Sequence, residues 1–309
     1  MISSVDNSKI KDVCRLVAKK KERYSRALFV AEGEKLVFEA PRDRVVSVFC
    51  TEDFAGKHQE KLIPGITEIV SDKVFAKMSD TDTPQGVLAV VRMADAGYSL
   101  RELLSQTGDS HRCAEEIKDK LICDESERPD ESCCGKTSEI IYKREGDEPR
   151  KTGGAGSEAP LILYLENIKD PGNLGTIVRS AEAAGVTGIV MSEETADIYS
   201  PKVVRSTMGS IYRVPFIYTA DLYAELESAK KRGIRLYAAY LKSSILYYEA
   251  DFTAPCGILI GNEAAGLTDI AAGLADERII IPMSGAVESL NAAMAAGVMA
   301  FEARRQRAG

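Results

Sequence analysis

A two-part α/β chain is expected from three features of the 309 residues. Short apolar runs such as Gly86–Val91 (GVLAVV) and Leu161–Leu165 (LILYL) alternate with helix-like segments, the pattern of strands covered by helices. Between residues 105 and 159 that alternation stops, and glycine, proline and acidic side chains take over. It resumes at Pro160 and runs to the end. The fold class is therefore α/β: a mostly parallel C-terminal sheet with helices on both faces over 160–309, preceded by a smaller α/β domain over 27–104.

Residues 9–24 place Ile10, Val13, Leu16 and Val17 at helical spacing, then cluster Lys19, Lys20, Lys21 and Arg23. One amphipathic helix with a basic end is expected within residues 1–26, its cations either contacting phosphate or serving solubility. Leu28–Gly33 reads as a strand running into a turn, Glu34–Ala40 as a short helix and Val45–Cys50 as a strand. Asp72–Ser79 then reads as a helix and Gly86–Val91 as a strand. The alternating elements from Ala27 to Met93, a unit of about 65 residues, are few enough to need a well-packed core or a neighbour.

Residues 105–159 hold nine Lys/Arg against fourteen Asp/Glu and few apolar runs, the composition of a partly disordered linker or insertion. His111, Cys113, Cys123, Cys133 and Cys134 lie in it. Zinc knuckles pair their ligands two to four residues apart, whereas the first three of these cysteines stand ten apart, so free thiols are expected and no metal.

In the last part, strands are expected at Leu161–Leu165, Thr187–Met191, Arg213–Tyr218, Ile234–Tyr240, Gly257–Gly261 and Arg278–Pro282. The helices between them fall near Thr176–Ala184, at Pro201–Ser210 and at Ala220–Gly233, with a long final one over Glu288–Arg305.

Net charge is −7, against indiscriminate coating of nucleic acid. The only basic surplus is at the start, where residues 1–30 carry eight Lys/Arg against three Asp/Glu. No run of apolar residues is long enough to span a membrane, and no apolar signal core opens the chain. With seven cysteines, an odd number, a cytoplasmic protein with reduced thiols is expected.

Ligands of open α/β sheets sit at the carboxyl ends of strands, and three loops there are polar. Glu166–Gly175 (ENIKDPGNLG) carries Asn173, and Arg179 follows near the expected first helical turn, positioned for phosphate or for a salt bridge to Glu182 or Glu166. Gly257–Asp269 (GILIGNEAAGLTD) sets Glu263 between Gly261 and Gly266, where freed backbone groups can read an adenine edge or the acid can cap a helix. In Arg278–Gly297, Ser289 and Asn291 enter an alanine-rich helix, either capping it or pointing into a cleft. GxGxxG and GxxxxGK[ST] are absent, and the only histidines are His58 and His111, so nicotinamide chemistry and histidine-based hydrolysis are disfavoured.

NIKDPGNLGTIVRSAEAAGV, SPKVVRSTMGSIYRVPF, and GILIGNEAAGLTD with IIIPMSGAVESLNAAMAAGVMAFEA together resemble the ordered motifs of the SpoU/TrmH family. FVAEGEKLVFEA and TPQGVLAVV are similar to the ends of its N-terminal, ribosomal-protein-like RNA-binding domain. The resemblance implies an RNA ribose 2′-O-methyltransferase that uses S-adenosylmethionine, works as a homodimer, needs no metal or membrane, and ties its C-terminal segment into a deep trefoil knot. It implies catalytic roles for Asn173, Arg179, Glu263, Ser289 and Asn291, and a cofactor enclosed by Gly261, Ile281, Met283 and Leu290. Structured RNA, above all rRNA, is the implied partner, with Lys19, Lys20, Lys21, Arg23 and Arg26 as its basic contact. A tRNA methyltransferase, or a non-catalytic RNA-binding protein that kept the fold, are the alternatives. In place of the glycine that usually follows the glutamate, this chain has Ala264, a strain only if that position requires positive φ.

Overall fold

The structure, a computed structural model, describes residues 1–94 and 159–308, which belong to one compact unit. The acidic, cysteine-bearing stretch and the expectations placed on it lie outside the described residues.

The chain begins with two helices, not one: α1 (Ser8–Ala18) and α2 (Lys20–Arg26). Lys19 between them is extended, and Arg23 reaches back from α2 to take the carbonyls of Leu16 and Val17 at 2.8 and 3.0 Å. The basic run is therefore not a continuation of the amphipathic helix. Residues 8–18 bury Ile10, Val13 and Leu16, and their last carbonyls are satisfied by a side chain from the next element.

A four-stranded sheet follows, built from β1 (Leu28–Glu32), β2 (Val45–Thr51), β3 (Thr67–Val70) and β4 (Val87–Arg92). Its order is β1-β4-β2-β3, with β2 and β3 parallel and the other pairs antiparallel. Helices α3 (Glu34–Glu39), α4 (Glu52–His58) and α5 (Asp72–Met78) connect it. The short β3 and α4 carry too few apolar residues to show a period, so the sequence pattern does not announce them. Both sheet faces are buried. Val30, Phe49, Leu88 and Val90 pack under α1 and α5, whereas Phe29, Ala31, Ala89 and Val91 join the core of the C-terminal domain. That double burial is why GVLAVV is apolar at every position.

The C-terminal sheet is entirely parallel, with strands β5 (Leu161–Leu165), β6 (Gly188–Ser192), β7 (Phe216–Thr219), β8 (Arg235–Ala239), β9 (Ile245–Leu246), β10 (Cys256–Ile260) and β11 (Glu277–Ile280). Their order is β7-β6-β5-β10-β8-β11-β9. Every residue of central strand β5 is buried, and a fully buried aliphatic side chain contributes about 1.5–3 kcal/mol relative to exposure. On one face lie α6 (Pro171–Ala184), α7 (Pro201–Thr207) and α10 (Ala292–Ala308). The other face is covered by α8 (Leu222–Lys231) and α9 (Asp269–Leu274).

Two details move the expected site. Helix α6 starts at Pro171, capped by the Asp170 carboxylate on the Asn173 amide, so the Pro-Gly-Asn stretch is helix rather than loop. Arg179 consequently sits in mid-helix, not in the first turn. The chain also leaves β11, two places beyond β10, and returns over the strand ends to start α10 beside α6. No helix among the described residues is long and apolar enough to cross a membrane.

Candidate functional site

At the carboxyl ends of β5, β10 and β11 the three loops converge. Asn262 closes the turn after β10: its backbone exchanges hydrogen bonds with Gly266, and its Oδ1 accepts from the amides of Ala264 and Ala265. Gly261 makes this closure possible, because a Cβ there would lie 2.1 Å from the Leu267 nitrogen and 2.2 Å from the Gly266 carbonyl carbon. Ala264 is not among the positive-φ residues, so it fits without backbone strain.

The loop from Glu166 to Asp170 is tied to that turn. Buried Glu166 accepts from the Thr268 amide and hydroxyl and from Tyr223. Asn167, at φ +59°, gives its carbonyl to Asn262 Nδ2 at 2.8 Å. The Glu263 carboxylate then gathers the amides of Lys169 and Asp170 at 3.2 and 3.1 Å and Asn173 Nδ2 at 3.0 Å. Partial burial works against its charge, but the Asn173 side chain and these backbone donors prevail and hold its pKa below the usual glutamate value. A carboxylate held this way is a weak proton acceptor and a strong anchor.

Asn291 continues the chain of contacts, donating from Nδ2 to Asn173 Oδ1 at 2.8 Å. Its own Oδ1 accepts from the amides of Ala293 and Met294, so Asn291, not Ser289, caps α10. A carboxamide has two N–H donors. Asn173 and Asn291 each spend one within this network, leaving each a second that is uncommitted among the described residues.

Beside the network lies a cavity of about 170 Å³ whose walls include Gly261, Ile281, Met283, Ser289 and Leu290. All four residues expected to enclose a cofactor are therefore together. Tyr240 and Leu241, after β8, complete the wall and were not anticipated, although the rule that directs attention to strand carboxyl ends covers them equally. The mostly apolar walls and the backbone groups of the 262–266 turn suit a flat heterocycle with polar edges.

Arg179 stands apart from this cavity. It is exposed on the outer side of α6 and has no hydrogen-bond or ion partner among the described residues. Its two sequence-level competitors are occupied elsewhere: Glu182 pairs with Arg213, and Glu166 with Thr268 and Tyr223. Of the basic set, Lys19, Lys20, Lys21 and Arg26 are exposed. Arg23 corrects the expectation: it is 5% exposed and forks onto the Asp197 carboxylate at 2.6 and 3.2 Å, leaving nothing for a phosphate. At the sequence level nothing separates it from its neighbours, because Asp197 is 174 residues away.

Comparison with known proteins follows the same division. Residues 160–301 match the SpoU rRNA Methylase family, and residues 7–89 match the MRM3-like substrate binding domain. The 23S rRNA (guanosine(2553)-2′-O)-methyltransferase RlmP of Bacillus subtilis is 27% identical over 98% of both chains. A 23S rRNA (guanosine-2′-O-)-methyltransferase RlmB of Xanthomonas axonopodis pv. citri is 36% identical, over 50% of this chain and 62% of its own. The AdoMet-bound rRNA methyltransferase of Sinorhizobium meliloti superposes with a TM-score of 0.70 at 28% identity, covering 98% of this chain and 97% of its own.

Proposed function

We propose, from the premise that the chain belongs to the SpoU/TrmH family of RNA methyltransferases, that it transfers a methyl group from S-adenosylmethionine to a ribose 2′-hydroxyl of ribosomal RNA. One observation carries the reading: the Asn291–Asn173–Glu263 chain joins the wall of the mostly apolar cavity at Glu263 and leaves two amide donors uncommitted among the described residues. Gly261, Ile281, Met283 and Leu290 would hold the cofactor, which supplies an already activated methyl when bound.

The protein's own task is then positioning. Glu263 fixes the Asn173 carboxamide, Asn291 fixes it from the other side, and the spare N–H groups of the two asparagines would hold the ribose oxygen and favour its developing negative charge as the hydroxyl proton leaves to solvent water. Ser289, in the cavity wall, adds a hydroxyl. A well-oriented pair recovers about 7 kcal/mol or more of the barrier. Arg179 is no proton acceptor, since guanidinium stays charged, but a partner-free fork grips a phosphate well.

Because Arg179 lies outside its own chain's cavity, we assign the working form as a cytoplasmic homodimer. Met294 and Phe301 are exposed on α10, which packs along α6, and would give a second copy an apolar seat. We further assign the return of the chain from β11 to α10 as the threaded crossing of a trefoil knot. Ribosomal RNA is favoured over tRNA because the N-terminal substrate-binding domain is shared with full-length rRNA-methylating relatives. A purely RNA-binding role leaves the unpaired Arg179 and the carboxamide chain without purpose.

The deciding experiment incubates the protein with labelled S-adenosylmethionine and unmodified cellular RNA, then maps ribose-methylated positions. Label confined to one 2′-O position of rRNA is expected; no transfer to any RNA would overturn the reading.

A further inference from the structure

Asp197 lies in the loop between β6 and α7, and its side chain is 10% exposed. It accepts two guanidinium hydrogen bonds from Arg23, the Tyr24 hydroxyl at 3.0 Å and the nearby Tyr199 amide at 3.0 Å. All three side-chain donors on it from outside the loop's own backbone come from α2, the helix that displays Lys20 and Lys21. The other arm of Arg23 holds the end of α1. One buried residue thus fastens both N-terminal helices to one loop of the catalytic domain.

That loop also braces the site. The Ala196 amide donates to the Ile168 carbonyl at 2.8 Å. Ser192 Oγ, at the loop's start, donates to Asn167 Oδ1 at 3.0 Å and accepts from the Asn167 amide at 2.9 Å. Lys169 Nζ reaches the Glu194 carbonyl at 2.6 Å. Residues 167–169 are therefore clasped by 192–196 on one side and by Asn262 and Glu263 on the other. The path from α2 to the Asn173 carboxamide runs through polar contacts and short stretches of chain, part-buried at Arg23–Asp197 and at Asn167 and exposed around Glu263.

We infer that the Arg23–Asp197 pair is a positioning element that fixes the distance between the basic RNA-contacting helix and the methyl-transfer cleft, and so selects which ribose is modified. The inference rests on the methyltransferase reading. Without the pair, α2 and its bound RNA shift against the cleft, and a misplacement of about 1 Å is enough to cost up to about 100-fold in a reaction governed by orientation.

The test uses the full-length chain with Arg23→Gln, Arg23→Lys and Asp197→Asn, read in three ways: S-adenosylmethionine affinity, kcat against KM for RNA, and the map of methylated riboses. Arg23→Gln and Asp197→Asn are expected to bind the cofactor as before, lose kcat, and spread label onto riboses next to the original one. Arg23→Lys, which keeps the charge, is expected to recover most of the selectivity. A folding defect lowers the active fraction but leaves the methylated position unchanged. A single unaltered position in Arg23→Gln and Asp197→Asn would therefore overturn the inference. Amide exchange at Ala196 gives a readout without RNA: it is expected to quicken in Arg23→Gln, and unchanged protection would equally refute the brace. Absence of any transfer by the unaltered protein would instead refute the methyltransferase reading, while the exchange measurement still decides the brace.

Discussion

Two residues show how far side-chain chemistry alone carries the reading. Arg179 is exposed and without an ion partner among the described residues, so removing it creates no buried vacancy. Arg179→Ala is expected to keep its melting temperature and cofactor affinity and to lose transfer by about 100-fold or more, the scale of losing one preorganised charge-stabilising group. Isothermal titration with the cofactor alongside single-turnover transfer checks both halves. Glu263 carries a sign. Its folded pKa is depressed, so its contribution to stability is complete above the ordinary glutamate value and is lost as pH falls through the folded one. Urea unfolding across that acid window is expected to be steeper in pH for the native chain than for Glu263→Gln. Both residues were legible in the sequence as polar groups in the segments that follow strands. What was not legible was their division of labour, because an anchor and a reactive group look alike until the donors around them are placed. Arg23 shows the opposite failure: a cation in a basic cluster became an internal strut, through a carboxylate that only the tertiary fold brings near.

Elements explain where those side chains point. Helix α6 can lie tightly on α7 because Gly175 has no Cβ; one there would sit 2.3 Å from Ser206 Cβ and 3.0 Å from the Val203 carbonyl. The glycine serves helix packing rather than ligand approach, a distinction no local pattern conveys. Gly175→Ala is expected to destabilise by about 2 kcal/mol through overpacking despite the better helix propensity of alanine. A lowered urea midpoint at constant m-value is the check. The start of α6 eludes the local pattern for a related reason: Pro-Gly-Asn reads as a turn in isolation, yet Asp170 and Pro171 make a good first turn once the strand before them ends. For α2, the basic surface is Lys19, Lys20, Lys21 and Arg26, with Arg26 already 3.7 Å from Asp12. Replacing the three lysines by alanine is expected to weaken RNA binding and flatten its dependence on log salt by about 0.7–0.9 for each phosphate no longer neutralised. Affinity measured over a salt series tests it, and Arg23 should be left out of the count.

At the scale of the whole molecule, alternating apolar runs were enough to give two α/β sheets, because strand burial on both faces writes itself into every position of the strand. The threaded crossing proposed for the return from β11 to α10 has no counterpart in the pattern, since general rules of chain connection argue against it and only the resemblance of the motifs implies it. Nor does any local feature say that Arg179 lies outside the wall of the cavity that the carboxamide network joins at Glu263. That separation has a consequence that can be measured. If a second copy brings its Arg179 to this chain's cleft, each cleft in the dimer draws on both chains. A chain with Arg179→Ala and a chain with Asn173→Ala are then each inactive alone, but a mixed dimer contains one cleft with both residues intact and one with neither. Random exchange makes half of the dimers mixed, so co-refolded equimolar chains are expected to regain about a quarter of the native transfer rate. If Arg179 instead serves its own chain's cleft, every cleft in the mixture lacks one residue and no activity returns. Subunit exchange followed by a transfer assay separates the two arrangements without substituting any interface residue.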